Sequence, residues 1–250
     1  MKGLGFYALK GKSLKRYMIY SIFLVGCCVS WLITRYEMQV EHDKTTAYAR
    51  GEGIVASILT ELRRCFDTTE LMNDLYKVNG DLFLDNFEPI CAELLEDNLA
   101  IGSMYWAPNG VIRYAYPDEV TESTTNFEML KDPIQGPKSQ LALESRKATI
   151  AGPHDLIEGG KGFIIRNPNY DEEGNFLAFS IMVIDLELFK KQVFSGLNDE
   201  EKQYKFAVWK KEDATASYEE GGYIFTNHGP IEKREIQINF AAPNDEWYLT

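Results

Sequence analysis

The chain has 250 residues, 45% of them hydrophobic and 13% aromatic, with a formal net charge of −12. This is enough apolar mass for a sizeable core, in one elongated domain or two small ones, and it argues against extended disorder. The charge is uneven: residues 1–36 hold six basic side chains (Lys2, Lys10, Lys12, Lys15, Arg16, Arg35) and no acidic one, while residues 37–250 carry 20 basic against 38 acidic, or −18. So acidic a surface repels phosphate backbones, which excludes nucleic acid as a partner of the globular part.

Residues 1–16 form a basic N-terminus, and Tyr17 to Thr34 follow as an 18-residue run without one charge. At about 1.5 Å per helical residue such a run just crosses a bilayer core. Arg16 and Arg35 bracket it, Tyr17, Trp31 and Tyr36 stand where interfacial aromatics belong, and most of the basic residues precede it. The reading is a transmembrane helix over 17–34 with a cytoplasmic N-terminus, leaving residues 37–250 outside the cell membrane. Leu24-Val25-Gly26-Cys27 also resembles a lipobox, but the sequence stays apolar through Ile33, where a lipoprotein turns polar. In either case the exported part is tethered to the bilayer.

Residues 37–78 lack proline and read as a stalk helix, with Ile54, Ile58, Leu62 and Cys65 on one stripe. A second copy could cover that stripe, so the stalk is the expected homodimer seam. A further helical pattern, Leu82-Phe83-Phe87-Ile90-Cys91-Leu94-Leu95, ends near Asn98. Strands are expected at Ile101–Trp106 and Val111–Tyr116, joined through Asn109-Gly110, a strong hairpin signal. Residues 117–137 are polar and contain Pro117, Pro133 and Pro137, the mark of an irregular connection. A short helix from Ser139 to Lys147, strands at Gly162–Arg166 and Phe176–Ile184, and a helix at Leu186–Phe194 come next. The tail alternates around Phe206–Trp209, Tyr223–Thr226 and Glu235–Phe240, and the chain stops part-way through an apolar strand pattern at Trp247–Thr250, as a piece of a longer protein would. A helix followed by an antiparallel sheet, twice over, makes the fold class α+β, with two small sheets stacked along one long helix.

Chemistry-bearing motifs are sparse. Glu158-Gly159-Gly160-Lys161-Gly162 lacks the spacing of a phosphate-binding loop and reads as a turn. Neither a nucleophile elbow nor a paired-histidine zinc motif occurs, and His42, His154 and His228 are scattered singly. No metal, no cofactor and no catalytic residue is therefore expected. Cys65 and Cys91 lie in the exported part, where a disulfide is permitted, yet both fall on helical patterns where free buried cysteine is common. Three function classes stay open on the residues alone: a binding module, a structural or adhesive ectodomain, and a membrane-anchored hydrolase.

Several blocks resemble a known family. Tyr105-Trp106-Ala107-Pro108-Asn109-Gly110-Val111-Ile112-Arg113 with Tyr116-Pro117, Gly152-Pro153 with Glu158 to Pro168, and Phe176 with Val183-Ile184-Asp185-Leu186 are similar to the CHASE domain, the extracellular sensor of histidine kinases, diguanylate cyclases and adenylyl cyclases. The resemblance implies a long helix carrying two PAS-like sheets. The membrane-distal one, within 79–190, holds a small-molecule pocket, and 191–250 form the membrane-proximal one. A second membrane helix and a cytoplasmic output domain would follow Thr250. It places the ligand against Trp106, Tyr114, Ala151, Leu156, Phe163 and Arg166, with the link at Asp118–Asn126 departing from the usual regular connection. Arg166 stands among apolar neighbours and needs an acceptor, supplied either by an anionic ligand or by Asp155 or Glu158. The expected ligand is a small organic molecule pairing a flat apolar body with an anionic group.

Overall fold

The computed structural model describes residues 4–156, 159–210, 223–229, 231 and 236–250, with side chains from Arg16 onward. Glu158 and Glu235, named above, lie outside the described residues. Two units are distinguished, Met1–Ala49 and Arg50–Thr250.

The first unit belongs to helix α1 (Leu4–Val78). It contains an 18-residue window apolar enough to cross a membrane, none of it covered by protein. Two of its hydroxyls are satisfied within the helix: those of Ser21 and Thr34 donate to the Tyr17 and Ser30 carbonyls at 2.8 and 3.0 Å. A helix that is apolar all round and uncovered suits hydrocarbon, since every backbone group is bonded internally.

In the second unit α1 continues as the spine against which both sheets pack. Ile54, Ile58, Leu62, Cys65 and Met72 are fully buried on one face. This corrects the expected dimer seam, because the Ile54–Ile58–Leu62 stripe is consumed by its own domain. A Cβ at Gly51 would come within 2.4 Å of Ile238, so glycine there allows the helix close to the sheet. Later turns carry polar bonds: Ser180 Oγ donates to the Thr69 carbonyl at 3.1 Å, Asn167 Nδ2 to Thr69 Oγ1 at 3.2 Å, and Asn169 Nδ2 to the Asn73 carbonyl at 3.4 Å.

After α1 come α2 (Gly80–Asp85) and α3 (Phe87–Asp97), where the sequence suggests one helix. The first sheet uses β1 (Ile101–Pro108), β2 (Tyr114–Tyr116), β3 (Thr149–Asp155), β4 (Lys161–Tyr170) and β5 (Phe176–Asp185) in the order β2-β1-β5-β4-β3. The Asn109-Gly110 turn is present, with φ of 52° and 79°. Both lie in the left-handed region that Asn and Gly tolerate best. Strand β2 is shorter than expected because Val111 bridges to Glu128 instead. Strand β3 was hidden by Gly152 and Pro153. It is the outermost strand, and its register shifts between Ala151 and His154, which is where a sheet accommodates proline.

Between β2 and β3 lie α4 (Thr121–Thr124) and α5 (Gly136–Ser145). Pro137 falls at the start of α5, where its missing N–H costs no bond, and Asp132 Oδ1 accepts from the Ile134 and Gln135 amides at 2.9 and 2.7 Å. Helix α6 (Leu186–Gly196) is capped by Asp185, which accepts from the Leu188 amide. It leads to the second sheet, β6 (Ala207–Lys210), β7 (Tyr223–Thr226), β8 (Ile238–Ala242) and β9 (Asp245–Leu249), ordered β7-β6-β9-β8. The architecture is α+β, a long helix with two antiparallel sheets. Cys65 and Cys91 are free and buried, so no disulfide joins them. Burial pushes both thiols up to about 12.

Candidate functional site

Side chains alternate across a strand, so the first sheet offers two faces. Met104, Trp106, Met182 and Ile184 belong to the core cluster that includes α1, while Tyr105, Ala107, Phe179, Ile181 and Val183 form a separate cluster on the other face. On that second face is a cavity of about 210 Å³. Its floor is Tyr105, Ile164, Ile181 and Val183, from the three central strands. Its far wall is the connection from Ile112 to Gln135, including Phe127 and Met129, and Asp155 and Leu156 close one side.

Arg166 lies on β4 two residues from Ile164, and therefore on the same face one pleat further along. It is completely buried. Its Nη2 donates to Oε1 of Gln135, a cavity-lining residue. Among the described residues its Nε and Nη1 have no hydrogen-bond partner and no carboxylate pairs with it. This removes Asp155 as its structural partner. Burial lowers the guanidinium from 12.5 to about 10, so it is still a cation at neutral pH. A cation held out of water with two donor nitrogens unused, next to an apolar hollow, is a receptor for an acceptor group on a guest.

The six residues singled out from the sequence separate. Leu156 lines the cavity. Ala151 pairs with Ile164 in register and is buried beside it. Arg166 reaches the wall through Gln135. Trp106, Tyr114 and Phe163 lie away from this cavity, in or against the core cluster on the α1 side of the sheet. Trp106 packs on Tyr76 and Phe83 at 4.6 and 5.2 Å, Tyr114 on Phe87 at 5.7 Å, and Phe163 on Phe189 and Trp247 at 5.7 and 5.6 Å. The sequence missed Tyr105, Phe127, Gln135, Asp155, Ile181 and Val183. Counting by twos along β1 separates Tyr105 from Trp106, but β1 is apolar on both faces, so the pattern does not say which face is hollow.

No protein-family model and no curated protein matches the chain. Solved structures do match. The ligand-binding domain of the Pseudomonas aeruginosa PAO1 amino acid chemoreceptor PctB, in complex with L-Arg, is 15% identical with a TM-score of 0.53, over 84% of this chain and 94% of that one. The sensory domain of the Campylobacter jejuni chemoreceptor Tlp3 with isoleucine bound is 10% identical with a TM-score of 0.50, over 82% and 91%. An extracellular ligand binding receptor from Desulfohalobium retbaense DSM5692 is 11% identical with a TM-score of 0.51 over 77% of this chain, which spans only 38% of that receptor. The fold is thus that of PAS-like ligand-binding domains of sensory receptors, a coarser class than the CHASE family. These three are a ligand-binding receptor, a ligand-binding domain and a sensory domain.

Proposed function

We propose that the chain is the extracytoplasmic sensor region of a membrane-bound receptor and that its ligand is a small carboxylate-bearing molecule held in the cavity on the first sheet. The observation that carries this reading is Arg166, a buried cation with no carboxylate partner among the described residues, joined to the cavity wall through Gln135. A volume of about 210 Å³ is below the roughly 300–1,000 Å³ of drug-sized sites, which suits a metabolite. The apolar floor takes the body of the guest, and Asp155 on the rim faces any ammonium it carries. An amino acid has this pairing of groups, and the ligands bound by PctB and Tlp3, L-Arg and isoleucine, support that class.

In this reading residues 17–34 cross the bilayer, 1–16 are cytoplasmic, 37–78 are the stalk, 79–190 the membrane-distal sensor part and 191–250 the proximal part. Ligand binding shifts the packing of α1 against the sheets, and the change passes through the membrane to an output domain of the diguanylate cyclase or histidine kinase kind, as the CHASE resemblance implies. A homodimer forms through a face of α1 that the domain leaves open, on which Leu71 is 43% exposed. Titration calorimetry with individual amino acids and hydroxy acids tests the ligand class. Binding that is lost in Arg166→Gln supports it, and binding indifferent to that change refutes it. Protease protection in intact cells tests the topology, with Lys2–Lys15 reached only after lysis.

A further inference from the structure

A second cleft, of about 470 Å³, opens where the two sheets approach each other. Pro153 on β3, Lys161 at the start of β4 and Lys190 on α6 form one side, and Lys210 at the end of β6 with residues 223–226 of β7 form the other. Among the described residues β3 and β7 are the outermost strands of their sheets, and both border the cleft.

Three lysines from different elements line this cleft, Lys161 exposed and Lys190 and Lys210 partly buried. The one carboxylate among the lining residues is Glu187, and it accepts from Lys190 Nζ at 2.9 Å. Lys161 and Lys210 form no ion pair among the described residues. The lining is therefore net +2 in a chain of net charge −12. A concave positive surface on an acidic protein concentrates anions, since the rest of the surface repels them. His154, beside Pro153 on β3, shows the same local field. It is held below its usual range first by burial, then by Lys210 and Arg166, with only Asp155 opposing.

We propose that this cleft is a second binding site, for a compact oxyanion of charge −2, either inorganic phosphate or an organic dicarboxylate. A monovalent anion would leave one of Lys161 and Lys210 unpaired, whereas a dianion engages both. Lysines are point charges without the planar fork of arginine, which suits a rounded oxyanion with acceptors on several sides. Because Lys161 belongs to the first sheet and Lys210 to the second, the bound anion ties the sheets together. It gives the sensor a second input, separate from the Arg166 cavity.

The test uses the full chain in neutral detergent, titrated with inorganic phosphate and, separately, succinate, at constant ionic strength against sodium chloride. One dianion or both should raise the unfolding temperature above the chloride control. The double variant Lys161→Gln/Lys210→Gln should weaken that binding at least tenfold, the Lys161→Arg/Lys210→Arg pair should restore most of it, and Arg166→Gln should leave it unchanged. Tighter phosphate or tighter succinate identifies which oxyanion the site takes, and either supports it. The inference is overturned if neither dianion exceeds chloride, if the double Gln variant binds as well as wild type, or if Arg166→Gln abolishes the effect, which would move the anion to the other cavity.

Discussion

Replacing Arg166 by Met separates a ligand-binding arginine from a structural one. The guanidinium is wholly out of water, retains its charge, and is met by the amide oxygen of Gln135 but by no described carboxylate. A buried charge carries a desolvation penalty of several kcal/mol, and exchange for an apolar side chain of similar length is often neutral or stabilising by about 1–4 kcal/mol. Against this stands the loss of the bond to Gln135, about 1 kcal/mol, because that side chain is half-buried and water can replace the donor. The ligand-free variant should therefore be about 0–3 kcal/mol more stable than wild type. The ligand contribution, about 2.7 kcal/mol at a hundredfold excess over Kd, should vanish. Urea unfolding of residues 37–250, followed by tryptophan fluorescence with and without a binding carboxylate, measures both quantities. If Arg166→Met unfolds more easily by 3 kcal/mol or more without ligand, the arginine is a structural element and the reasoning fails.

Further outcomes follow from other positions. Gly152 has φ of 119°, and a Cβ there would stand 2.6 Å from the Gly162 carbonyl, so Gly152→Ala should destabilise by about 2 kcal/mol or more, read as a drop in Tm of about 4 °C or more. Trp106→Ala should cost about 3–5 kcal/mol in the same assay, because the ring fills the core between α1 and the sheet rather than lining the cavity. Cys65 and Cys91 have folded pKa values raised from 9.0 to about 12, which favours the neutral thiol in the folded state. That stability is complete below pH 9 and declines as pH rises from 9 toward 12, by about 1.4 kcal/mol per thiol at pH 10. Chemical unfolding at pH 8 and pH 10, repeated on Cys91→Ala, checks this, since the variant should lose about half of the decline.

The elements with a strong period were legible in the sequence: the apolar run from Tyr17 to Thr34, the stripe on α1 through Ile54, Ile58 and Leu62, and the Asn109-Gly110 hairpin. What that stripe covers was not legible, since a helical face toward a sheet and one toward a second helix have the same spacing. Strand β3 was concealed by Gly152-Pro153, residues that break a central strand but are tolerated at the shifted register of an edge. At the site, Arg166 stood out because a charge among Phe163, Ile164 and Ile165 demands a partner. The aromatic residues beside it misled, since Trp106 and Phe163 are one pleat out of phase with the cavity. Gln135 lies 31 residues before Arg166 in the chain and carries no motif. Only the fold brings the two together.

The cavity over Ile181 is where the ligand should sit, and filling it is the most direct measurement. Ile181 is 1% exposed, forms part of the floor and stands opposite Arg166 in the β4–β5 register, so Ile181→Trp places an indole in a space of about 210 Å³ beside the guanidinium. Thermal unfolding should be recorded across a panel of amino acids and other small carboxylates, on wild type and on this variant. At least one carboxylate should raise the wild-type Tm by about 5–10 °C at a hundredfold excess over Kd and leave the filled variant unmoved. A carboxylate that stabilises both proteins equally would contradict the placement of the ligand in this cavity.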